Sequence, residues 1–150
     1  MLLNINTDPR DHSSCALSYN EQERWLLAVW RGYVNPAEAM QGAQAYLLHA
    51  VNHSCGLLLN DNSKLAGPWF DSLDWLAEVW MPQAVRLGLR YVAHITQADR
   101  HYDILSSALP DDLPFELQIF RDSTDACHWL RERRAALEGG TVLALPRSRD

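Results

Sequence analysis

An α/β fold, with an N-terminal hairpin followed by alternating helices and strands, is what this sequence predicts, and three observations carry the prediction. Short apolar runs of strand length recur at residues 55–59, 89–95 and 115–120. Between them lie stretches in which apolar residues return at steps of three and four, the period of an amphipathic helix. Helix punctuation falls where those stretches begin and end: Asn35-Pro36 at one start, Gly88 and Gly139-Gly140 at two ends. Alternation of this kind gives a mixed sheet with crossover helices, here of about five strands with four flanking helices.

Taken in order, residues 1–13 mix apolar and polar positions and reach Asp8-Pro9-Arg10-Asp11, which reads as an N-terminal tail or a loosely held edge segment. The domain proper is expected over 14–138. Runs 15–19 and 24–34 are β-prone and separated by Asn20-Glu21-Gln22-Glu23, a hairpin pattern. In the second run Trp25, Leu27, Val29 and Arg31 alternate with Leu26, Ala28 and Trp30. Both faces are largely apolar, as a central strand requires.

Asn35 offers an N-cap, Pro36 the first helical position, and Glu38 an anion in the first turn where the helix dipole favours it. Met40, Ala43, Leu47 and Ala50 continue the stripe to a helix end near 52–54. Residues 55–59 read as a buried parallel strand and 60–64 as the loop after it. Trp69, Leu73, Leu76 and Trp80 predict a second helix, which Pro82 kinks or divides because it lacks a backbone donor. After Gly88, Tyr91, Ala93 and Ile95 alternate with Arg90, Val92 and His94 in another strand. A short helix is expected over 97–109, a last strand over 115–120, and a final helix capped by Ser123 and stopped at Gly139-Gly140. Residues 139–150 read as a C-terminal tail.

Composition narrows the function classes. The chain has 150 residues, 13 basic and 19 acidic, with a net charge of −6. That balance argues against nucleic acid, whose binders cluster Lys and Arg to displace counterions. No apolar run is long enough for export or membrane insertion. Cys15, Cys55 and Cys127 are far apart and odd in number, so a disulfide framework is not expected and a cytoplasmic setting fits.

Recognisable chemistry is sparse. The sequence shows no nucleophile elbow, no glycine-rich phosphate loop and no calcium loop. His49 and His53 lie one helical turn apart with Cys55 close behind, a spacing that allows a metal or hydrolytic site. The glutamate of a metalloprotease motif is missing, and histidines at a helix end also serve its free carbonyls. No metal and no cofactor is expected. Six tryptophans are the strongest compositional feature. Core packing is their first explanation. The alternative is an apolar ligand groove at Trp69, Phe70, Trp75 and Trp80, since these cover more than one narrow stripe. The strand-end segment 60–72 holds Asp61, Asn62, Ser63, Lys64, Asp71 and Ser72 where open α/β sheets gather functional groups. Turn-forming and first-turn helix roles account for the same residues.

The run Gly56-Leu57-Leu58-Leu59-Asn60-Asp61, then Gly88-Leu89-Arg90-Tyr91-Val92-Ala93, Phe115 to Phe120, and Ser123-Thr124-Asp125-Ala126-Cys127-His128-Trp129-Leu130 resembles the STAS fold of anti-sigma-factor antagonists. The likeness is to the divergent bacterial SpoIIAA-like branch, whose small members are also compared with lipid-binding Sec14 domains. The resemblance implies a non-enzymatic regulatory module. It would bind a protein partner, with a homodimer as one form, through the 60–72 loop and the second helix. In some members a serine at the start of that helix is phosphorylated. Here Asp61-Asn62-Ser63-Lys64 comes earlier and Asp71-Ser72-Leu73-Asp74 lacks the motif's glycine, so the surface carries over more readily than the phosphoryl chemistry. A carrier or sensor of a small apolar ligand is the alternative, and a metal-dependent or hydrolytic enzyme the third reading.

Overall fold

Successive side chains of a strand point to opposite faces, and along the central strands of this chain both faces are apolar. A computed structural model describes residues 1–53, 55–66, 73–98 and 112–147, with side-chain environments to residue 139. Among the described residues six strands form one sheet in chain order: β1 (Leu2–Thr7), β2 (Ser14–Asn20), β3 (Trp25–Gly32), β4 (Leu57–Leu65), β5 (Tyr91–Ile95) and β6 (Glu116–Phe120). The first three pair antiparallel and β3 to β6 pair parallel, so the class is mixed α/β.

The hairpin between β2 and β3 forms as its sequence predicts. Asn20 Oδ1 accepts from the amides of Gln22 at 3.1 Å and Glu23 at 3.0 Å, which closes the turn. Helix α1 (Pro36–Ala50) begins at the expected cap, with Asn35 Oδ1 accepting from Glu38 N at 2.9 Å. The second helix is composite: α2 (Leu73–Trp75), a π-helical stretch (Leu76–Trp80) and α3 (Met81–Arg86). Met81 N–H bonds Leu76 O five residues back. The wider turn falls directly before Pro82, which has no N–H to give to the carbonyl four residues earlier. Gly88, at φ 110°, then turns the chain toward β5.

The helices occupy both faces. Leu26, Ala28, Trp30, Leu58 and Val92 face α1, α3 and the π-helical stretch. Trp25, Leu57, Leu59, Ala93 and Ile95 face α4 (Ser123–Arg147), which buries Ala126 and Leu130 against them. The alternation predicted for β3 and β5 therefore holds face by face.

Several expectations need correction. Residues 2–7 are not a tail: Leu2–Thr7 pair with β2 as the edge strand, with Leu2 and Ile5 exposed. Residues 60–64 are not a loop. They extend β4, because Arg31 and Gly32 of β3 keep pairing with Lys64 and Leu65. Asp122, not Ser123, caps α4 through a bond from Asp125 N to its Oδ1 at 2.9 Å. The last helix passes through Gly139 and Gly140 to Arg147, beyond the expected stop at 138. Glycine lowers helix propensity without ending a helix unless it turns left-handed. The helix expected over 97–109 lies outside the described residues from 99 onward.

Candidate functional site

Small residues decide where the helices sit. Gly42 of α1 lies against the Trp30 ring, so that a Cβ there would stand 2.6 Å from Trp30 Cη2 and 2.9 Å from Cys15 Sγ. With Ala28 below and Ala43 above, the space between α1, the π-helical stretch and the sheet stays partly unfilled. A cavity of about 70 Å³ results. Its floor is Leu17, Ala28, Leu58, Val92 and Leu117, its roof Gly42, Ala43 and Tyr46, and its side Leu76, Trp80 and Met81. Trp80 ties the two helices together: its indole N–H donates to Ala43 O at 2.8 Å, and its ring lies 5.2 Å from that of Tyr46.

The cavity is apolar except at one end, where Asn60 enters its wall. Asn60 Oδ1 accepts from Trp30 Nε1 at 2.9 Å, while its Nδ2 lies 3.0 Å from His94 Nδ1 and 3.3 Å from Asn62 Oδ1. Strand register accounts for the meeting: Asn60 pairs with His94, and Ala28 with Asn60. All four side chains are on the helix-covered face shared with Leu58 and Val92. His94 and Trp30 lie near the C-terminal ends of β5 and β3, while Asn60 and Asn62 are mid-strand in β4. Asn62 and His94 are wholly buried.

The three thiols do not offer a thiolate. Burial pushes Cys15 up to about 12, and burial also raises Cys55 and Cys127; an activated cysteine needs the opposite shift. His49 sits at the end of α1 with its carbonyl accepting from Asn52 and His53 amides, the His53 ring lies 5.6 Å from that of Tyr19, and Cys55 Sγ bonds Arg24 O at 3.3 Å. Among the described residues no group of three or more His, Cys, Asp or Glu side chains is placed to hold a metal.

The predicted site residues separate. Asp61 lies on the α4 side of β4, and its Oδ1 accepts from Ser63 N at 2.9 Å. Ser63 and Lys64 are exposed, Ser63 in an open cleft with Thr96, Gln97, Ala98 and Arg121. Asn62 turns inward instead. Of the predicted groove, Trp80 lines the cavity and Trp75 packs beside it in the core, half-buried. Trp69, Phe70, Asp71 and Ser72 lie outside the described residues. Sequence reasoning missed Trp30, Asn60 and His94 as site residues. The available signal was parity: Asn60 and His94 fall on the core-facing positions of Leu58 and Val92.

No family model matches the chain, and no curated protein does. Among solved structures it is similar to an uncharacterized protein of the DUF3478 family with a SpoIIAA-like fold from Shewanella loihica PV-4. The two share 18% identity at a TM-score of 0.48, over 83% of this chain and 98% of that one. Among the described residues no helix is long and apolar enough to cross a membrane.

Proposed function

We propose that this chain is a non-enzymatic α/β module that takes a small apolar molecule into the cavity between its helix layer and its sheet, as a carrier or a sensor. The observation that supports the reading is the cavity itself, about 70 Å³ of apolar space in an otherwise packed core. An apolar cavity of about 150 Å³ stays dry and accepts benzene or xenon; at about half that volume, this one is sized for xenon or a guest of two or three carbons. The test is xenon under pressure with ¹⁵N-labelled protein. The indole N–H signals of Trp30 and Trp80 should shift with saturation, and that of Trp25, on the opposite face, should not. Unmoved Trp30 and Trp80 signals would end this reading.

A second reading, a regulatory surface for a protein partner, is favoured by the exposure of Ser63 and Lys64 at the end of β4 and of Val79 at 39% on the π-helical stretch. The STAS resemblance points to the same region. A protein captured by the wild type and lost to a Ser63→Asp, Lys64→Glu double variant would support it. Equal capture by both would remove it.

A further inference from the structure

We infer that a second copy of this chain joins this one edge to edge, β1 against β1 in antiparallel register centred on Ile5, so that one sheet runs through both copies with the two α1 helices side by side above it. The inference is independent of the cavity and of the surface at Ser63 and Lys64.

It begins from an unguarded edge. Among the described residues no strand pairs with the outer side of β1, which leaves a row of main-chain donors and acceptors open to another strand. Asp8 N–H bonds Ser13 O at 2.9 Å. Bonded and non-bonded pairs alternate along an antiparallel ladder, so Asn6 and Cys15 form the next bonded pair. Ile5 and Thr7, opposite Ala16 and Ser14, therefore turn their N–H and C=O groups outward. Proteins blunt such edges with charges or proline, and Leu2–Thr7 has neither. Its one irregularity, between Leu2 and Asn4, stops short of Ile5. The strand instead shows apolar side chains, with Leu2 60% and Ile5 53% exposed. The opposite edge strand, β6, opens on the charged Glu116, 4.0 Å from Arg133.

Three features fit this edge to its own copy. Antiparallel pairing around a two-fold axis at Ile5 lets the two Ile5 residues exchange both main-chain bonds and brings their exposed side chains together. The same register sets Asn4 opposite Asn6 of the second copy. Within one chain Asn4 Nδ2 donates to Asn6 Oδ1 at 3.3 Å, so Asn4 still offers its oxygen and Asn6 its amide nitrogen, and each meets its complement across the axis. The third feature is the position of α1, which rests on both β1 and β2. Its axis runs over the space between them. With neighbouring strands about 4.8 Å apart, the two-fold sets the two α1 axes roughly 10 Å apart, the spacing of packed helices. The flank that would meet begins at Gln41, which shares an open cleft with Asn6 and Thr7. One and two turns on lie Ala45 and Leu48, the latter 70% exposed. No residue from Ala39 to Leu48 is charged, as suits the centre of an interface. Strand and helix flank together make a face roughly 20 Å by 15 Å. Side-chain relief brings that to roughly 600 Å² of accessible surface per copy, the lower end of a specific pair. A lone peptide strand would take the main-chain bonds and leave the α1 flank uncovered.

Sedimentation equilibrium of the wild-type chain should show a dimer that dissociates in the micromolar range. Ile5→Pro removes only an outward N–H, so the β1 to β2 ladder keeps its bonds, and Ile5→Lys sets two like charges together on the axis. Each should raise the dissociation constant about tenfold to a hundredfold while the far-UV circular dichroism stays that of the wild type. Amide hydrogen exchange on the wild type gives a readout that needs no variant. Protection of Ile5 and Thr7 should rise with protein concentration, while Asn6, bonded to β2, is protected throughout. A chain still monomeric at millimolar concentration, Ile5 and Thr7 amides that exchange freely at every concentration, or a dimer that neither variant weakens would each overturn the inference. In the last case the copies meet elsewhere, and in the first two the edge serves a foreign strand or none.

Discussion

The two faces of the sheet are built to different standards. On the α4 side, Trp25, Leu57, Leu59, Ala93, Ile95, Ala126 and Leu130 are each at most 5% exposed. Its rim is closed by ring and cation contacts: Trp129 meets the Tyr91 ring edge-on at 6.0 Å, and Arg134 lies 5.8 Å over Trp25. The opposite face carries the cavity, a row of buried amides and imidazole, a glycine at the helix contact and a π-helical turn. No member of the α4-side cluster lines the cavity. A filled face holds the parallel strands in register, and that leaves the other face free to keep space and buried polarity that packing alone would eliminate.

The contrast can be broken at its strongest point first. Leu130→Ala on the filled face should cost about 2 to 5 kcal/mol in urea denaturation, transfer and residual cavity together, and should leave xenon binding at the other face intact. Gly42→Ala tests the close approach of α1. Helix propensity alone would favour alanine by about 1 kcal/mol, but a Cβ 2.6 Å from Trp30 Cη2 forces the ring or the helix to move. A net loss of about 1 to 3 kcal/mol is expected, with the Trp30 indole signal displaced because its bond to Asn60 is disturbed.

A matched pair sharpens the comparison further. Ala93→Val adds two methyl groups to the filled face, where Ala93 is wholly buried, and should destabilise by about 1 kcal/mol. Ala28→Val adds the same groups to the cavity floor. It should cost less than Ala93→Val, because the added groups enter space that is already empty, and abolish xenon binding. Equal losses for the two substitutions would mean that the faces are packed alike.

The smallest effect concerns how α4 is tethered. Hydrogen bonding from Arg131, then from Arg134, holds the Glu23 carboxyl below its ordinary value of 4.5, against the upward push of desolvation. A carboxylate with a lowered folded-state pKa stabilises fully above its unfolded value and loses that contribution as pH falls through the lowered one. Thermal melts of wild type and Glu23→Gln should therefore differ by an amount worth up to about 1 kcal/mol near neutral pH and converge once the pH has fallen through the lowered folded-state value. Ligand affinity should not respond to this substitution.

Much of the architecture was legible because local rules and tertiary packing agree. The Asn35-Pro36 start of α1, the turn at Asn20, the two-sided apolar β3 and the alternation of β5 all follow from spacing and cap chemistry. The failures lie where main-chain pairing outweighs side-chain polarity. Asn60 to Lys64 looks like a loop by composition, yet β3 and β5 supply partners to its backbone on both sides over Asn60 and Asp61. Leu2 to Thr7 looks like a tail until β2 supplies an edge. Of the site, the sequence showed only its aromatic side. Trp80, which its spacing offers as one residue of an apolar groove with Trp69, Phe70 and Trp75, lines the cavity. The polar end was not legible, because Trp30, Asn60 and His94 are 30 and 34 residues apart in successive steps and only register brings them together.

The most direct measurement of the central claim, that one face of this sheet is filled and the other holds room for a guest, is a crystal of the protein under xenon pressure. The account predicts a xenon atom between Trp80, Leu58 and Val92, and none between α4 and the sheet. Xenon absent from the first position, or bound beneath Leu130, would contradict it.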